Sequence, residues 1–463
     1  RGMGSILSAG SYELANTSSK QAQSSKFNAS GGLGLTYNDG QNFFGLSFDK
    51  MESIYDIPGG EGEENLTTLN PTRNTINFKS TVALDNNIFE KINLSGTVSE
   101  YNHAERTGSG QNHNIEFSND TYELKTSLNH KPLINQNNGG LIGFHYQNIN
   151  QKAEGVEEGH LTPTKTNSFA LFILEKLQYD LFEIDLGARV EAVYLKTTNF
   201  DKDFFPMSFS SSLKRKILDN SSLFFGFDFT QRAPNAVELF ADGPHHALEN
   251  HETGNSDLDE ETSYNFSLGY LYSKDLDKLK VETYVNYIND FIAADRNGLT
   301  TDVEGEDFNN IIHGQYDAFF TGLEFSGQYN LMKINNLNLL SNFALDYIKG
   351  YRFKTSTTKA LTRVPQSKAN IGIQLAGESW DTGFKYNHYF DKEFLGPYQT
   401  RTAGHSRLDF DLTKDFSFSP LEGHVIFTAT NLLDVVGRNH LESKKETVQL
   451  PGRSFNFLVK FFF

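Results

Sequence analysis

The sequence predicts an all-β chain that crosses a membrane as one transmembrane antiparallel β-barrel of about twenty strands. Composition is the first observation behind this. Of 463 residues only 37% are hydrophobic, and mean hydropathy is -0.48. No run of about 18 apolar residues is present to span a bilayer as a helix. Forty Phe and twenty Tyr accompany a single Trp, which suits a lipid-facing surface with aromatic girdles around a polar interior. The second observation is the ending, where Phe455, Phe457, Val459, Phe461 and Phe463 alternate with Ser454, Asn456, Leu458, Lys460 and Phe462. A strand sends successive side chains to opposite faces, so one face of this closing strand is apolar and Lys460 is expected to point inward. The third is the segment 182–194. Phe182, Ile184, Leu186, Ala188, Val190, Ala192 and Tyr194 share one face, while Glu183, Asp185, Arg189 and Glu191 share the other. So many charges on one side suit a water-filled lumen, with Phe182, Ile184, Leu186 and Val190 toward lipid.

In order along the chain, the alternation gives strands at 4–13, 26–37, 42–53, 73–84, 89–103, 117–131, 139–151, 164–176, 180–195, 206–216, 221–231, 261–273, 278–293, 315–329, 336–349, 366–375, 379–392, 405–416, 423–431 and 453–463. Leu223, Phe225, Phe227 and Phe229 repeat the pattern, as do Leu408, Phe410 and Leu412 against Arg407, Asp409 and Asp411. The links alternate in length. Asn38-Asp-Gly-Gln41, Asp85-Asn-Asn87, Leu218-Asp-Asn220, Ser273 to Lys278 and Ala376 to Ser379 are tight and turn-rich. Between them lie the long stretches 54–72, 232–260, 294–314, 350–365 and 432–452. Outer-membrane barrels have short periplasmic turns and long extracellular loops. The long stretches are therefore expected outside a bacterial cell, and an even strand count returns both ends of the chain to the periplasmic side, with Phe463 at that rim.

Cysteine is absent, which removes disulfides and thiolate metal sites and fits passage through an oxidising compartment. A net charge of -17 argues against a nucleic-acid partner, which wants a concentrated basic face. It suits collection of cations, or simply acidic solvated loops. Arg1-Gly-Met-Gly-Ser5 is no basic and apolar leader, so a processed or truncated start is expected. There is no Gly-x-Ser-x-Gly elbow, Gly-rich phosphate loop or His-Glu-x-x-His pair, and no enzyme is predicted.

The most distinctive local sequence is Gln231-Arg-Ala-Pro-Asn-Ala-Val-Glu-Leu-Phe-Ala-Asp-Gly-Pro-His-His246, continuing through Gly254-Asn255 and Leu258-Asp-Glu-Glu-Thr-Ser263. Physically, Pro234 and the small residues end a strand, and Arg232 and Glu238 can turn inward as a polar pair. The segment resembles one in TonB-dependent outer-membrane receptors, where a strand ends in Arg-x-Pro-x-x-x-Glu-Leu. There the loop then carries Gly-Asn and a Leu-x-Pro-Glu-x-Ser lead into the next strand. Arg232, Pro234, Glu238, Leu239, Gly254, Asn255, Leu258, Glu261 and Ser263 match, with Asn235 inside the motif, and Glu260 replaces the common Pro. Asn431-Leu-Leu-Asp434, Arg438-Asn-His-Leu441 and Pro451-Gly-Arg-Ser-Phe455 are similar to the family's last loop and closing strand. Tyr398-Gln-Thr-Arg-Thr-Ala-Gly-His-Ser406 is similar to its approach to the third-last strand. The matches cover the C-terminal half, and the first 160 residues match in pattern alone.

The resemblance implies a 22-stranded barrel, an N-terminal plug, and import powered through TonB. Nothing here reads as a plug, so residues 1–463 are expected to be the barrel domain of a receptor lacking its plug and first two strands. A plugless relative is the alternative. Within the family, Gly243-Pro-His-His246 and the His440 loop are most similar to the zinc-uptake branch. His245, His246, Glu249, His251 and Glu252 set three imidazoles and two carboxylates within eight residues. Those donors suit zinc or another borderline divalent metal as cargo, although a solvated polar loop has the same composition. His103, His113, His160, His313, His405 and His440 also fall in or near extracellular loops. The expected function is uptake of a scarce metal or metal complex, with no cofactor required. Outer-membrane lipid, the TonB complex and a surface lipoprotein or larger assembly are the expected partners. The rival is a passive porin or structural barrel.

Overall fold

The computed structural model describes residues 1–59, 67–107, 113–132, 138–155, 160–303, 305–353, 360–418 and 421–462; Phe463 and the His113 side chain lie outside the described residues. Among the described residues all strands join one sheet of 24. Four of them, Thr67–Leu69, Asp201–Phe204, Asp242–His245 and Asn250–Thr253, are short additions at loop ends, which leaves twenty that form the wall. Each wall strand pairs antiparallel with the next in sequence, from Gly2–Ala9 against Lys26–Asn38 to Leu421–Thr430 against Ser454–Phe462. Among the described residues, the one exception to the antiparallel rule is Asn250–Thr253, which runs parallel to Glu306–Ile334. Among the described residues no ladder joins Gly2–Ala9 to Ser454–Phe462, so the seam is not sealed by these two strands.

Two expectations need correction. The first strand ends at Ala9 rather than reaching residue 13. Tyr12 and Glu13 leave the wall for the last loop: Tyr12 Oη donates to Gln449 O at 2.6 Å, and Gly452 N donates to Glu13 O at 2.8 Å. Asp434 adds to this clasp by accepting from Asn16 N and Arg453 N at 3.0 and 2.9 Å. The two ends of the sheet thereby meet at the rim that carries the long loops. The stretch 294–314 is no loop but the upper part of a hairpin made by Asp277–Val303 and Glu306–Ile334. Asp290 and Gly298 adopt φ of 53° and 84° where the register shifts. Bulges of this kind bend a strand without ending it, yet their residues read like turns.

The lipid face is continuous. Phe384, Phe410, Phe427 and Phe455 form a row with ring centroids 4.9, 6.1 and 6.3 Å apart. Phe455, Phe457 and Phe461 are 63%, 69% and 50% exposed. In water so large an apolar surface would drive association, so it is the face expected against lipid. In the strand Phe182–Lys196 the outward positions Ile184, Ala188 and Val190 stand beside Leu177 and Leu213, Ile173 and Phe209, and Leu171 and Met207. Leu186 stands beside Glu175 and Ser211, so the stripe is less apolar there. The opposite face carries Arg189, paired with Glu191 at 2.9 Å, and His145, paired with Glu123 at 3.0 Å. Val190→Arg is expected to cost about 2–4 kcal/mol, as a charge on the lipid face does, while lumen-facing Asp185→Arg is expected to be tolerated. Urea unfolding in lipid vesicles measures both, and equal stability of the two variants would contradict the assigned faces.

Candidate functional site

The motif at 231–263 builds a scaffold. Asn235 caps the helix Ala236–Phe240: its side chain accepts from Glu238 N, and the Glu238 carboxylate accepts from Asn235 N, a reciprocal capping box. Arg232 grips Glu238 with both terminal nitrogens, at 2.8 and 3.2 Å, and reaches Glu261 on the next strand at 2.6 Å. Pro234 is fully buried. Ala236, Leu239 and Leu258 join a small extracellular core with Ile115, Leu161, Val193, Leu195, Phe204 and Ile292. Gly254 N donates to Ala241 O at 2.6 Å and Asn255 N to Glu238 O at 2.8 Å. A side chain at Gly254 would place its Cβ 2.7 Å from backbone atoms of Leu239 and Phe240, so glycine is required by close approach.

From this scaffold projects the hairpin Asp242–His245 and Asn250–Thr253, turning through the 3-10 helix His246–Leu248. Asp242 N donates to His160 O at 3.1 Å, and the parallel pairing Thr253 to Ile312 brings His313 alongside. Six side chains from four segments gather here. His245 Nε2 lies 3.2 Å from Glu105 Oε1, and its Nδ1 lies 3.7 Å from Glu252 Oε1. His103 Nε2 lies 3.8 Å from Glu105 Oε1. His160 and His313 approach Glu252 Oε2 through Nε2 at 3.7 and 3.9 Å. His160 Nδ1 is 3.4 Å from Gly243 O; as a donor there, it leaves Nε2 with its lone pair toward Glu252. Phe117 stacks on His103 at 4.4 Å and walls the group beside His160 and His245. Among the described residues, no three of these donors are arranged to hold a metal ion as they stand; the shortest contact in the group is the hydrogen bond of His245 Nε2 with Glu105 Oε1.

The group lies among extracellular segments, beyond the lipid-facing band. Burial opposes charge on Glu105 and Glu252, but the hydrogen bond from His245 to Glu105 and the imidazole rings close to both carboxylates outweigh it. Glu105 is lowered to about 2 and Glu252 lies well below the usual carboxylate range. Burial likewise works against His245⁺, yet bonds to both carboxylates raise it to about 9. His160 goes the other way, with burial pushing it down from 6.5. A raised folded-state value stabilises below 6.5 and is lost as pH climbs through about 9. The lowered His160 stabilises above 6.5 and is lost as pH falls, and Glu105 is lost only toward about 2. The metal-free hairpin 242–253 is therefore expected to be most protected near pH 6.5 and to loosen toward pH 9. Amide exchange, corrected for intrinsic rates, reads this out; protection rising across that interval would contradict the assignment.

Of the five donors expected from sequence, His245 and Glu252 enter the group. His251 neighbours Glu252 in a strand and so points to the other face. His246 turns edge-on to Phe308 at 5.2 Å, and Glu249, in left-handed backbone, pairs with Lys444 at 2.7 Å. His405 stacks on Tyr389, and buried His440 bonds Thr402 Oγ1 at 2.8 Å; both knit the last loops together. Sequence reasoning missed Glu105, although a carboxylate two residues after His103 shares its strand face.

Over residues 10–432 the chain matches the family described as TonB dependent receptor-like, beta-barrel. The chain belongs to that family. TonB-dependent receptors are bacterial outer-membrane proteins, and in outer-membrane barrels the long loops face the cell exterior. Among solved structures this TonB-dependent receptor barrel is similar to a copper transporter, OprC, at 14% identity and a TM-score of 0.82, over 98% of this chain and 74% of that one. It is similar to the FrpB iron transporter of Neisseria meningitidis in its apoprotein form, at 13% and 0.76, over 99% and 76%. It is also similar to the Serratia marcescens hemophore receptor HasR, a double mutant in complex with its hemophore HasA and heme, at 13% and 0.75, over 99% and 75%. At such identities the likeness is one of fold. Nothing in these comparisons supports a passive porin.

Proposed function

We propose that this TonB-dependent receptor takes up a borderline divalent metal ion, of which zinc is the best fit, and captures it at the extracellular group of His103, Glu105, His160, His245, Glu252 and His313. One observation carries the reading: four imidazoles from distant segments stand 3.2–3.9 Å from two carboxylates, all six side chains being largely buried. Two ligands of one tetrahedral zinc stand about 3.4 Å apart, given bonds of about 2.0–2.1 Å. Ring rotations of a few tenths of an ångström would thus turn ion pairs into coordination. Imidazole with carboxylate and no thiolate suits zinc over softer ions. Proteins of similar fold include a copper transporter and an iron transporter, in agreement with a metal cargo. Family membership supplies TonB as the energising partner. Zinc calorimetry on the detergent-purified receptor tests the reading. His245→Ala with Glu252→Gln is expected to abolish the binding seen in wild type, and His246→Ala with His251→Ala to retain it. No binding to wild type, or equal affinity in all three proteins, overturns it.

A further inference from the structure

We propose that the extracellular group holds two divalent cations side by side, an inference that rests on the metal-capture reading above. His245 carries the argument. Its Nε2 faces Glu105 at 3.2 Å while its Nδ1 faces Glu252 at 3.7 Å. The two nitrogens of one imidazole diverge, so one ion cannot take both. The remaining donors sort accordingly. His103 Nε2 is 3.8 Å from Glu105 Oε1, which gives a first set of His103, Glu105 and His245 Nε2. His160 and His313 stand 3.7 and 3.9 Å from Glu252 Oε2, which gives a second set of His160, His313 and Glu252.

Each set offers three protein ligands and leaves a fourth position open, the composition of an exchangeable zinc site rather than a closed structural one. Each set is also short of partners. Glu105 Oε2 and His103 Nδ1 in the first, and both ring nitrogens of His313 in the second, are buried without a hydrogen bond. Glu105 is 3% exposed and His313 6%. Buried polar atoms are ordinarily satisfied, and here the shortfall falls in both halves. When the first ion binds, His245 Nε2 releases its proton to solvent and ligates, and Nδ1–H donates toward Glu252. That link ties one ion's ligand to the other ion's carboxylate, as carboxylates orient metal-bound imidazoles elsewhere. One carboxylate per set offsets half of each ion's charge, and water or an anion at the open positions offsets the rest.

Counting bound metal decides it. Full-length receptor, purified from outer membranes in detergent and stripped with chelator, is dialysed against zinc and assayed by elemental mass spectrometry. Two zinc ions per wild-type chain are expected. One is expected in His103→Ala with Glu105→Gln, and one in His160→Ala with His313→Ala. A single ion in wild type overturns the two-ion assignment and leaves capture standing, whereas none overturns both. Two ions persisting in both variants overturns the assignment of these residues. The wild-type count needs no variant, so a misfolded mutant cannot mask the answer.

Discussion

Truncating Glu252 to alanine is expected to weaken zinc binding by about 100-fold or more, since loss of a group that only orients a ligand already costs about 10–100-fold. Three rings turn to this carboxylate: His245, His160 and His313, at 3.7, 3.7 and 3.9 Å. Alanine removes one ligand and the reference point for the other three. Glu252→Gln keeps the shape and loses the charge, so its loss is expected to be intermediate. Glu249→Ala is the matched control, three residues earlier in the same hairpin. Its carboxylate, 44% exposed, holds Lys444 instead, and such a pair contributes little, so affinity should change by about fivefold at most. Competition against a chromophoric chelator measures all three. Equal losses at Glu249 and Glu252 would show that the hairpin acts only as a whole.

Gly254→Val is expected to disable capture without touching a donor. Its Cβ would lie 2.7 Å from Leu239 C and Phe240 N and 2.8 Å from Ala241 N, and backbone atoms cannot swing aside as side chains do. Relieving such overpacking costs about 1–3 kcal/mol. The displaced segment carries Glu252, two residues away, so zinc affinity should fall roughly tenfold or more, 1.4 kcal/mol being about a factor of ten. The wall strands do not depend on this contact, so the thermal midpoint of the barrel should barely move. Hydrogen exchange should show lost protection confined to 236–258. An unchanged affinity beside a destabilised barrel would contradict the scaffold role.

The barrel was legible because a two-residue period survives in wall strands such as Phe182–Lys196 and Ser454–Phe462, where one face needs no partner to be recognised. The upper hairpin at 294–314 was not, because Asp290 and Gly298 bend the chain with residues that elsewhere end strands. Of the six site residues, two were picked out as donors. His245 and Glu252 stood out by proximity, but spacing could not say that His246 enters a 3-10 turn or that His251 faces away. His160 and His313 reach the site through pairings of Leu161 with Ala241 and of Thr253 with Ile312. These are long-range contacts that no local pattern encodes. The Arg232 motif was legible as a family mark, yet its work is structural: it caps a helix and holds the hairpin in place.

Anomalous diffraction at the zinc edge, from receptor crystals grown with zinc, tests the central claim most directly. Metal capture at this group predicts anomalous density roughly 2.0–2.2 Å from Glu252 and the rings of His160 and His313, with a neighbouring peak at Glu105, His103 and His245. Saturating zinc that leaves these six side chains without a peak, or that binds only at His246 and His251, would contradict it.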